Sequence, residues 1–346
     1  MRRALIIGIT GQDGSYLAEL LLEKGYEVWG FARRDTWLRP NRASHIANRL
    51  RVLTGELAEG VDLAAALQES APDEVYNLAS QSRPGESWAR LTETLELNAL
   101  AAIRLFEAVR HQRPECRVYQ ASSSEMLGPS DGNPQGEDAP CRPRNPYAAA
   151  KLYAHHMALI YRESYGLHIA TGILFNHESE RRPLHFVTQK IACGAACAAL
   201  GITSSPDLNE LGRPIVDEGK LTLGNLDVAR DWGHARDFVR AMWLILQYPV
   251  ATDFVVGTGE LHTLRELCEV AYRHVGLDWR QHVCSSAALS RPLESPSTVA
   301  DTRRARELLG WKPEISFEQM VAGMVDAQLA RLSPRDGSAD RRSNRA

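Results

Sequence analysis

The sequence predicts an α/β fold in which a doubly wound parallel sheet is followed by a smaller C-terminal α/β lobe. Three observations predict it: a glycine-rich segment directly after an apolar N-terminal run, apolar runs that alternate with helical patterns up to about residue 175, and the loss of that alternation beyond it. Such alternation is typical of parallel sheets covered by helices on both faces. At 346 residues the chain is also long for a single core, so two lobes are expected.

Composition and charge exclude several classes of function. The chain is 44% apolar and 24% charged, which is ordinary for a globular protein, and its net charge of −3 provides no basic field for nucleic acid. No apolar run approaches the length of a membrane span, and the apolar residues after Arg3 lead into glycines, as in a first strand and unlike a signal peptide. We therefore predict neither a nucleic-acid partner nor a membrane partner.

The six cysteines are scattered along the chain, although Cys193 and Cys197 lie one helical turn apart. No histidine or further cysteine close to them completes a zinc pattern, so no metal site is predicted. We interpret all six as reduced thiols in a cytoplasmic protein.

The first predicted unit is a strand, a glycine-rich turn, a helix and a second strand. Strand 4–8 runs into Gly-Ile-Thr-Gly-Gln-Asp-Gly at 8–14, and helix 15–24 and strand 26–31 follow, with Gly25 as the helix C-cap. Glycines at this spacing allow a tight turn and a close approach of the backbone to a pyrophosphate at the helix N-terminus. An ordinary glycine-rich turn is the alternative, but the strand-turn-helix context favours a dinucleotide site.

The end of the second strand bears on the choice of cofactor. A site that prefers NAD usually has an acid here for the ribose 2′-hydroxyl, whereas this chain has Arg33 and Arg34. Guanidinium groups bind a phosphate in a bidentate manner, so NADP is the predicted cofactor. The alternative is that both arginines only begin a solvated loop, since 35–50 has the composition of an extended basic loop. That loop contains Arg39, Arg42 and Arg49.

Four further strands and three helices complete the predicted sheet. The strands are 51–53, 74–78, 117–121 and 168–174, and the helices are 61–70, 92–111 and 147–165. Gly55-Glu56-Leu57 is predicted as an adenine-side turn. Small polar residues lie at 77–82, at the end of the predicted strand 74–78, where sheets of this kind bind ligands. Both segments are therefore predicted to line the ligand crevice.

Residues suited to proton transfer follow the strand 117–121. Ser123 and Glu125 come directly after it, and Tyr147 and Lys151 lie one helical turn apart in the next helix. An ammonium lowers the pKa of a nearby phenol, so Tyr147 is a candidate base for a sugar or alcohol hydroxyl that Ser123 would hydrogen-bond. Glu125 adds a second acid/base, which suggests oxidation coupled to a further proton abstraction. Alone, Tyr-x-x-x-Lys is a weak motif, and Glu125 is open to interpretation as a solvated loop residue.

The pattern changes beyond residue 175. Predicted in order are helix 186–200, an irregular excursion at 201–220, helix 234–247 and strand 253–257 returning to the main sheet, and helices 263–276 and 316–330. The predicted division is a dinucleotide-binding domain at 1–175, to which 234–258 returns, and a substrate-binding lobe over most of 176–332. Residues 333–346 are predicted as a disordered tail.

These motifs, in this order, resemble the extended short-chain dehydrogenase/reductase family, whose two signatures match Gly8-x-x-Gly11-x-x-Gly14 and Tyr147-x-x-x-Lys151. More closely, the chain is similar to the GDP-mannose 4,6-dehydratase family. That similarity covers about residues 3–328 and rests on the stretches 8–17, 77–82, 146–155, 175–179, 223–227 and 230–233. Several such stretches in order are more specific than either short motif.

The resemblance implies a Rossmann domain that binds NADP and a smaller lobe for a GDP-sugar. The implied cofactor residues are Gly8, Thr10, Gly11, Gln12, Asp13, Gly14, Arg33, Glu56, Leu57, Leu78, Ala79, Ser82, Tyr147 and Lys151. The implied substrate residues are Ser82, Ser87, Asn176, Val187, Lys190, Arg230, Arg291 and Glu294. A homodimer or homotetramer is implied as well, in which 35–50 reaches a neighbour's cofactor.

The implied reaction converts GDP-D-mannose to GDP-4-keto-6-deoxy-D-mannose and water through an internal hydride cycle on NADP, with Ser123, Glu125, Tyr147 and Lys151 as the catalytic residues. Two alternatives stay open: an NAD(P)-dependent epimerase, reductase or dehydratase acting on another GDP-sugar, and a nucleotide-sugar-binding protein without catalysis. Ser123 stands where the family usually has Thr, which preserves the hydroxyl. Arg83 and Pro84 replace His-Val beside the sugar pocket, a change that affects the choice of sugar more than the type of reaction.

Overall fold

The computed structural model describes residues 1–130, 132–209, 212–289 and 295–333. The chain separates into two compact units. Of the described residues, the first unit comprises 1–130, 132–181, 228–262 and 295–317, and the second comprises 182–209, 212–227, 263–289 and 318–333. The predicted tail lies outside the described residues from 334 onward, and the assignment of binding roles to the two units stays a prediction.

The strands are numbered in chain order. Those in the described residues are β1 (Arg3–Ile7), β2 (Glu27–Ala32), β3 (Arg51–Thr54), β4 (Glu74–Asn77), β5 (Arg117–Ser123), β6 (Ile169–Leu174), β7 (Asn176–Glu178), β8 (Val216–Asp217), β9 (Lys220–Leu223), β10 (Ala229–Arg230), β11 (Trp232–His234), β12 (Asp253–Val256), β13 (His262–Thr263), β14 (Val283–Ser285) and β15 (Ser297–Thr298).

The α-helices are numbered in the same way. Those in the described residues are α1 (Gln12–Glu23), α2 (Arg34–Trp37), α3 (Gly60–Ser70), α4 (Leu91–Leu95), α5 (Ala101–Gln112), α6 (Pro146–Tyr165), α7 (Val187–Ala199), α8 (Ala235–Gln247), α9 (Leu264–His274), α10 (Arg303–Leu309) and α11 (Phe317–Leu332). A π-helical segment at Glu96–Leu100 joins α4 to α5. None of these helices combines the length and the apolar content that a membrane crossing requires.

Seven strands form one sheet in the first unit, in the order β12-β6-β5-β4-β1-β2-β3. Every neighbouring pair in it is parallel. The strand order runs outward from β1 in both directions, so the topological switch lies between β1 and β4. Open α/β sheets bind their ligands at this switch, outside the carboxyl ends of the strands. The predicted doubly wound parallel sheet is therefore confirmed.

Strand β1 shows how helices on both faces build the core. Ala4 and Ile6 belong to the apolar cluster that α1 and α8 complete, whereas Leu5 and Ile7 belong to the cluster on the opposite face, with α3, α5 and α6. All four side chains are fully buried. A strand covered on both faces needs a continuous apolar run, and the sequence Ala-Leu-Ile-Ile supplies it.

Two segments of the first unit differ from their predictions. Helix α1 begins at Gln12, three residues earlier than predicted, because the glycine-rich turn passes directly into it. The segment 35–50 is not an extended loop, since it contains most of α2 and a 3-10 turn at Ser44–Arg49. Ala43 and Ile46 are buried in the α1 cluster, and their burial anchors a segment whose arginines suggested a solvated loop.

The second unit is also α/β and contains α7, α9, α11 and the sheet β14-β9-β8. Strands β8 and β9 form an antiparallel hairpin in a stretch that was predicted to be irregular up to residue 220. Glu218 and Gly219, at the turn, have φ values of +50° and +74°. Left-handed conformations at both central residues match the twist of a two-residue hairpin. The prediction was wrong here because β8 is too short to show an alternating pattern.

Candidate active site

The glycine-rich turn between β1 and α1 has the close backbone packing that its sequence predicted. Gly8 has a φ of +94°, and a Cβ at this position would lie 2.9 Å from the Ala79 backbone nitrogen. A Cβ on Gly14 would lie 2.3 Å from the Gly8 carbonyl oxygen. A side chain at either position would therefore force the turn open. The N-terminus of α1 follows directly, and a helix N-terminus approached by bare backbone suits a pyrophosphate.

The side chains of Gln12 and Asp13 bond to the segment that follows β6 in the same unit. Gln12 Nε2 donates to the His177 carbonyl over 3.2 Å, and Ser179 Oγ donates to Gln12 Oε1 over 2.8 Å. Asp13 Oδ2 lies 2.9 Å from His177 Nε2. These bonds fix the glycine-rich turn against β7, the short strand that begins with Asn176.

His177 is a further residue of the candidate site, in contact with Asp13, that the sequence did not single out. Its Nδ1 donates to the Phe175 carbonyl over 2.8 Å, and its ring stacks on Phe238 with 4.4 Å between the ring centroids. Because a carbonyl oxygen only accepts, Nδ1 carries a hydrogen and Nε2 faces the Asp13 carboxylate. The sequence signal that indicates it is its position beside Asn176 in the motif 175–179.

The residues predicted around the adenine ribose lie after β2 and β3. Arg33 precedes α2, its side chain is exposed, and its Nε lies 3.9 Å from Asp35 Oδ1. Glu56 is exposed, and its backbone N–H donates to Asp62 Oδ2 over 2.8 Å, while Leu57 packs on the core. Since β2 and β3 are neighbours and parallel, both segments leave the sheet at the same edge. Arg33 is thus accessible to a ligand at that edge.

The loop after β4 carries three predicted ligand residues, of which Leu78 and Ala79 are partly buried and Ser82 is exposed. Asn98 holds this loop from the π-helical segment: its Oδ1 accepts from the Gln81 backbone N–H over 2.8 Å, and its Nδ2 donates to the Gln81 carbonyl over 3.0 Å. Asn98 was not predicted, because a π-helical turn inside a helix has no clear signature in a sequence. Such turns occur often at functional sites.

Ser123 and Glu125 lie where β5 ends, as predicted. The Ser123 hydroxyl accepts from the Glu125 backbone N–H over 3.3 Å and caps a 3-10 turn at Ser124–Met126. Glu125 is half-buried, and its Oε2 accepts from Asn145 Nδ2 over 2.9 Å. Asn145 is also the N-cap of α6, since its Oδ1 accepts from the Ala148 N–H over 2.8 Å. One amide therefore ties the carboxylate to the start of the helix that carries Tyr147 and Lys151.

Tyr147 and Lys151 are both buried on α6. Lys151 Nζ donates to the Ala121 carbonyl on β5 over 3.0 Å and lies 5.9 Å from the centroid of the Tyr147 ring. Burial lowers the pKa of Lys151 to about 8, and the Asp13 carboxylate acts in the opposite direction. The structure thus places a largely protonated ammonium beside the phenol at neutral pH, which favours the phenolate form of Tyr147.

The predicted substrate residues in the first unit are Ser82, Ser87, Asn176 and Arg230. Asn176 opens β7 and Arg230 ends β10, and both are partly buried. Ser87 is fully buried, and its hydroxyl donates to the Pro84 carbonyl over 2.6 Å. Its bond closes a 3-10 turn in the loop after β4, so a contact between Ser87 and substrate stays a prediction.

The remaining predicted substrate residues lie elsewhere. Val187 and Lys190 are on α7 in the second unit, and Arg291 and Glu294 lie outside the described residues. All six cysteines are free thiols. Throughout the described ranges, no group of three or more His, Cys, Asp or Glu side chains is arranged to hold a metal ion.

The fold and the site together define a class of protein, the Rossmann-type epimerases and dehydratases of nucleotide sugars. The defining features are the parallel sheet with its switch in strand order, the glycine-rich turn, and the side chains of Ser123, Glu125, Tyr147 and Lys151. Solved structures of the class have the same fold. The UDP-glucose 4-epimerase of Thermus thermophilus, in complex with NAD, matches with a TM-score of 0.78 and 25% identity over 94% of this chain and 98% of its own. The dTDP-glucose 4,6-dehydratase of Bacillus anthracis, in complex with NAD, matches in fold with a TM-score of 0.79 at 19% identity, over 94% of this chain and 96% of its own.

Sequence comparison narrows the class to one family. The family model described as GDP-mannose 4,6 dehydratase matches residues 5–324. GDP-mannose 4,6 dehydratase 1 of Arabidopsis thaliana is 44% identical over 338 residues, which cover 94% of this chain and 89% of the relative. The GDP-mannose 4,6 dehydratase of Homo sapiens is 39% identical over 360 residues, which cover 96% and 93%. The chain therefore belongs to the GDP-mannose 4,6-dehydratase family.

Proposed function

We propose that this chain is a GDP-mannose 4,6-dehydratase, a hydro-lyase that converts GDP-D-mannose to GDP-4-keto-6-deoxy-D-mannose and water with bound NADP. The observation that carries the proposal is the position of Glu125 beside the helix of Tyr147 and Lys151. Redox chemistry at one sugar carbon needs a single acid/base, whereas loss of water across a neighbouring pair of carbons needs a second. Asn145 holds that second group, Glu125, at the start of α6.

The side chains divide the steps of this reaction. Tyr147 removes the proton of the C4 hydroxyl, the Lys151 ammonium stabilises the phenolate, and Ser123 hydrogen-bonds the same sugar oxygen. Bound NADP would supply the hydride chemistry, taking a hydride from C4 and returning it to C6. Glu125 removes the C5 proton, which the C4 ketone has acidified, and delivers it to the departing C6 hydroxyl as water leaves. A proton derived from solvent then returns to C5. Because the hydride taken from C4 is returned to C6, the reaction needs no net oxidant.

The residues present fit a nicotinamide dinucleotide. Gly8 and Gly14 leave no room for a Cβ, and solved relatives of the same fold are complexes with NAD or NADPH. Our assignment of NADP rests on Arg33, an exposed cation after β2, where the 2′-oxygen of the adenine ribose is expected. Its guanidinium matches a phosphate in charge and geometry.

The Arg33→Ala variant tests the choice of cofactor. We expect NADP affinity to fall by about 10- to 100-fold, the contribution of one charge-assisted contact, while NAD affinity stays within about twofold. Fluorescence titration with both reduced cofactors measures the two dissociation constants. Arg273→Ala, which removes an exposed arginine from α9, is the control. Equal weakening of NADP and NAD by Arg33→Ala would refute the assignment.

The proposed reaction is tested by incubating the purified protein with GDP-mannose and NADP⁺ and following the sugar by mass. The expected product has lost one water without net accumulation of NADPH, and in D₂O it carries deuterium at C5. Glu125→Gln should abolish the loss of water. Accumulated NADPH with a keto sugar that retains its water would favour a reductase, whereas a stereoisomer of unchanged mass without NADPH would favour an epimerase. Binding of GDP without turnover of GDP-mannose would point to another GDP-sugar, with Arg83 and Pro84 as the first residues to exchange.

A homodimer or homotetramer is part of the proposal. Large apolar side chains are exposed along α4 and α6, among them Leu91, Leu95, Tyr153 and Ile160. Monomeric proteins rarely leave a large apolar patch in water, and a second copy related by two-fold symmetry would cover it with the same patch. The free cysteines fit the cytoplasmic location inferred from the sequence.

The basic segment 35–50 was expected to reach a neighbour's cofactor, and that role stays a proposal. In one chain, Arg42 Nε donates to the Arg181 carbonyl, and His45 Nε2 lies 2.5 Å from Glu19 Oε1 on α1. These two contacts hold the segment against its own first unit. Arg33 lies just before the segment, so a reach across an interface would leave Arg33 at the same sheet edge as its own glycine-rich turn.

A further inference from the structure

Helix α6 carries a third buried polar side chain on the face that presents Tyr147 and Lys151. His155 lies one turn after Lys151, on the same stripe of the helix, and is 7% exposed. Its Nδ1 lies 3.0 Å from Ser122 Oγ on β5 and 3.4 Å from Thr171 Oγ1 on β6. The next residue, His156, is exposed. No role for either histidine follows from the sequence motifs.

The bonds around His155 determine which ring nitrogen carries the hydrogen. Thr171 Oγ1 donates to Asp253 Oδ1 over 2.8 Å, and the same carboxylate oxygen accepts from Arg162 Nη2 over 2.7 Å. With its hydrogen committed to Asp253, Thr171 Oγ1 can only accept, so the donor is His155 Nδ1. Burial lowers the pKa of His155, although the nearby Asp253 carboxylate acts in the opposite direction. The ring is therefore neutral at pH 7, with its hydrogen on Nδ1.

Ser122 lies between two parts of the candidate site. The carbonyl of Ala121, just before it, holds Lys151 Nζ, and Ser123, just after it, supplies the predicted hydroxyl. Bonds from α6 to two successive residues of β5 restrain both the rotation of the helix and its position along the strand. Tyr147 moves with α6 and Ser123 moves with β5. Proton transfer depends on the alignment of two such groups to within a fraction of an ångström.

We propose that His155 is a positioning residue that locks α6 to β5 and β6 through its Nδ1–H and thereby aligns Tyr147 with Ser123. The role rests on the proposed dehydratase reaction and adds to it a residue that takes no part in the proton transfers themselves. Nδ1 makes both contacts, so the function requires a donor at that ring position and not a ring as such. A substitution that keeps a donor at the position of Nδ1 should therefore preserve the function, and one that does not should lose it.

The test compares three substitutions of His155. His155→Phe keeps the ring and removes both nitrogens. His155→Asn places an amide N–H close to the position of Nδ1, whereas His155→Gln places it close to that of Nε2. His111→Phe, at an exposed position near the end of α5, is the control. Turnover of GDP-mannose by the unsubstituted protein, measured first, decides the proposed function independently of these variants.

We expect His155→Phe to lower kcat, per NADPH-occupied site, by about tenfold, with KM for GDP-mannose changed by less than about twofold. His155→Asn should recover most of the rate, His155→Gln should not, and His111→Phe should leave the rate unchanged. An unchanged kcat in His155→Phe would overturn the proposal. Equal recovery by Asn and Gln, or a loss confined to KM, would overturn it as well.

A second measurement needs no substitution, so it is independent of how well a variant folds. Protein labelled with ¹⁵N-histidine reports the tautomer of each ring by NMR, and His155→Asn assigns the signal. A neutral ring protonated on Nδ1 at pH 7–8 is the expected result, and protonation on Nε2 would overturn the proposal. This readout stays valid even if GDP-mannose is not the substrate, so the failure of one proposal is distinguishable from the failure of the other.

Discussion

At the scale of the residue, Lys151 is a residue of the candidate site that lowers the stability of the folded protein. The residue is 4% exposed, its ammonium donates to the Ala121 carbonyl, and burial lowers its pKa to about 8 from an ordinary value of 10.5. Removing an ammonium from water is unfavourable unless it is fully compensated. The fold thus accepts a destabilising group in order to place a positive charge beside Tyr147.

Replacing Lys151 by Met should raise the melting temperature of the cofactor-free protein at pH 7 by a few degrees and abolish turnover. The pKa of Lys151 is lower in the folded state, so the unfolded state binds more protons between about pH 8 and 10.5, and the stability of the unsubstituted protein rises with pH across that window. The variant should lack this rise. Thermal unfolding of both proteins at pH 7 and pH 9.5 measures the difference. A variant that melts lower at pH 7, or that follows the same pH dependence, would contradict the prediction.

Asn145 both caps α6 and holds Glu125, so it affects stability and catalysis together, and two variants separate these effects. Asn145→Ala removes the cap of α6 and the bond to Glu125, so the free energy of unfolding should fall by about 1 kcal/mol and kcat by about tenfold. Asn145→Ser keeps an acceptor for the Ala148 N–H but is too short to reach Glu125. It should restore stability in urea titrations and leave the rate of dehydration low. Recovery of both by Ser would show that Glu125 does not depend on Asn145.

At the scale of the element, the strand-turn-helix unit β1–α1 requires glycine at two positions. Gly8 needs its left-handed conformation and Gly14 needs its empty space. Gly25, just after the same helix, also has a positive φ of +79°, but nothing lies within 4 Å of the position of its Cβ. Glycine is therefore needed at the two ends of α1 for different physical reasons. At the N-terminal end a Cβ would collide with the backbone, and at the C-terminal end only the left-handed conformation requires glycine.

Gly14→Ala and Gly25→Ala should separate these reasons. The Cβ of Gly14→Ala meets the Gly8 carbonyl oxygen at 2.3 Å, so we expect NADPH affinity to fall by at least about tenfold. Gly25→Ala should lower the free energy of unfolding by about 1 kcal/mol, through backbone strain, without changing NADPH affinity. Fluorescence titration and urea unfolding of both variants supply the two quantities. Loss of NADPH binding in Gly25→Ala, or its retention in Gly14→Ala, would contradict this account.

At the scale of the whole molecule, the exposed apolar side chains on α4 and α6 should determine the oligomeric state. Leu95 is 42% exposed and Ile160 is 48% exposed. The double variant Leu95→Lys, Ile160→Lys should shift a dimer or tetramer toward the monomer in light scattering, because charges in place of apolar side chains would oppose the contact. Leu308→Lys on α10, also at a site 48% exposed, is the matched control and should change nothing. A monomeric unsubstituted protein would sink the prediction.

The extent to which sequence predicted structure varied with the kind of element. The strands of the large sheet lie within a few residues of their predictions, because a strand buried on both faces is a continuous apolar run between helical patterns. Helix α10 was not predicted, since its seven residues are mostly charged and show no apolar stripe. The prediction for the segment 35–50 was wrong because the burial of Ala43 and Ile46 fixes the segment against the core, although its arginines are typical of a solvated loop.

The sequence by itself determined the succession of strands in the large sheet and of the long helices between them, the bare glycines of the dinucleotide turn and the spacing of Tyr147 and Lys151. These features depend on backbone geometry within a few residues, so a local pattern contains them. Only the tertiary structure decided what joins them: Asn145 to Glu125 across 20 residues, His155 to Ser122 across 33, and His177 to Asp13 across 164. Such partners meet only when separate strands and helices pack, and no periodicity along the chain encodes which side chains a packed sheet brings together.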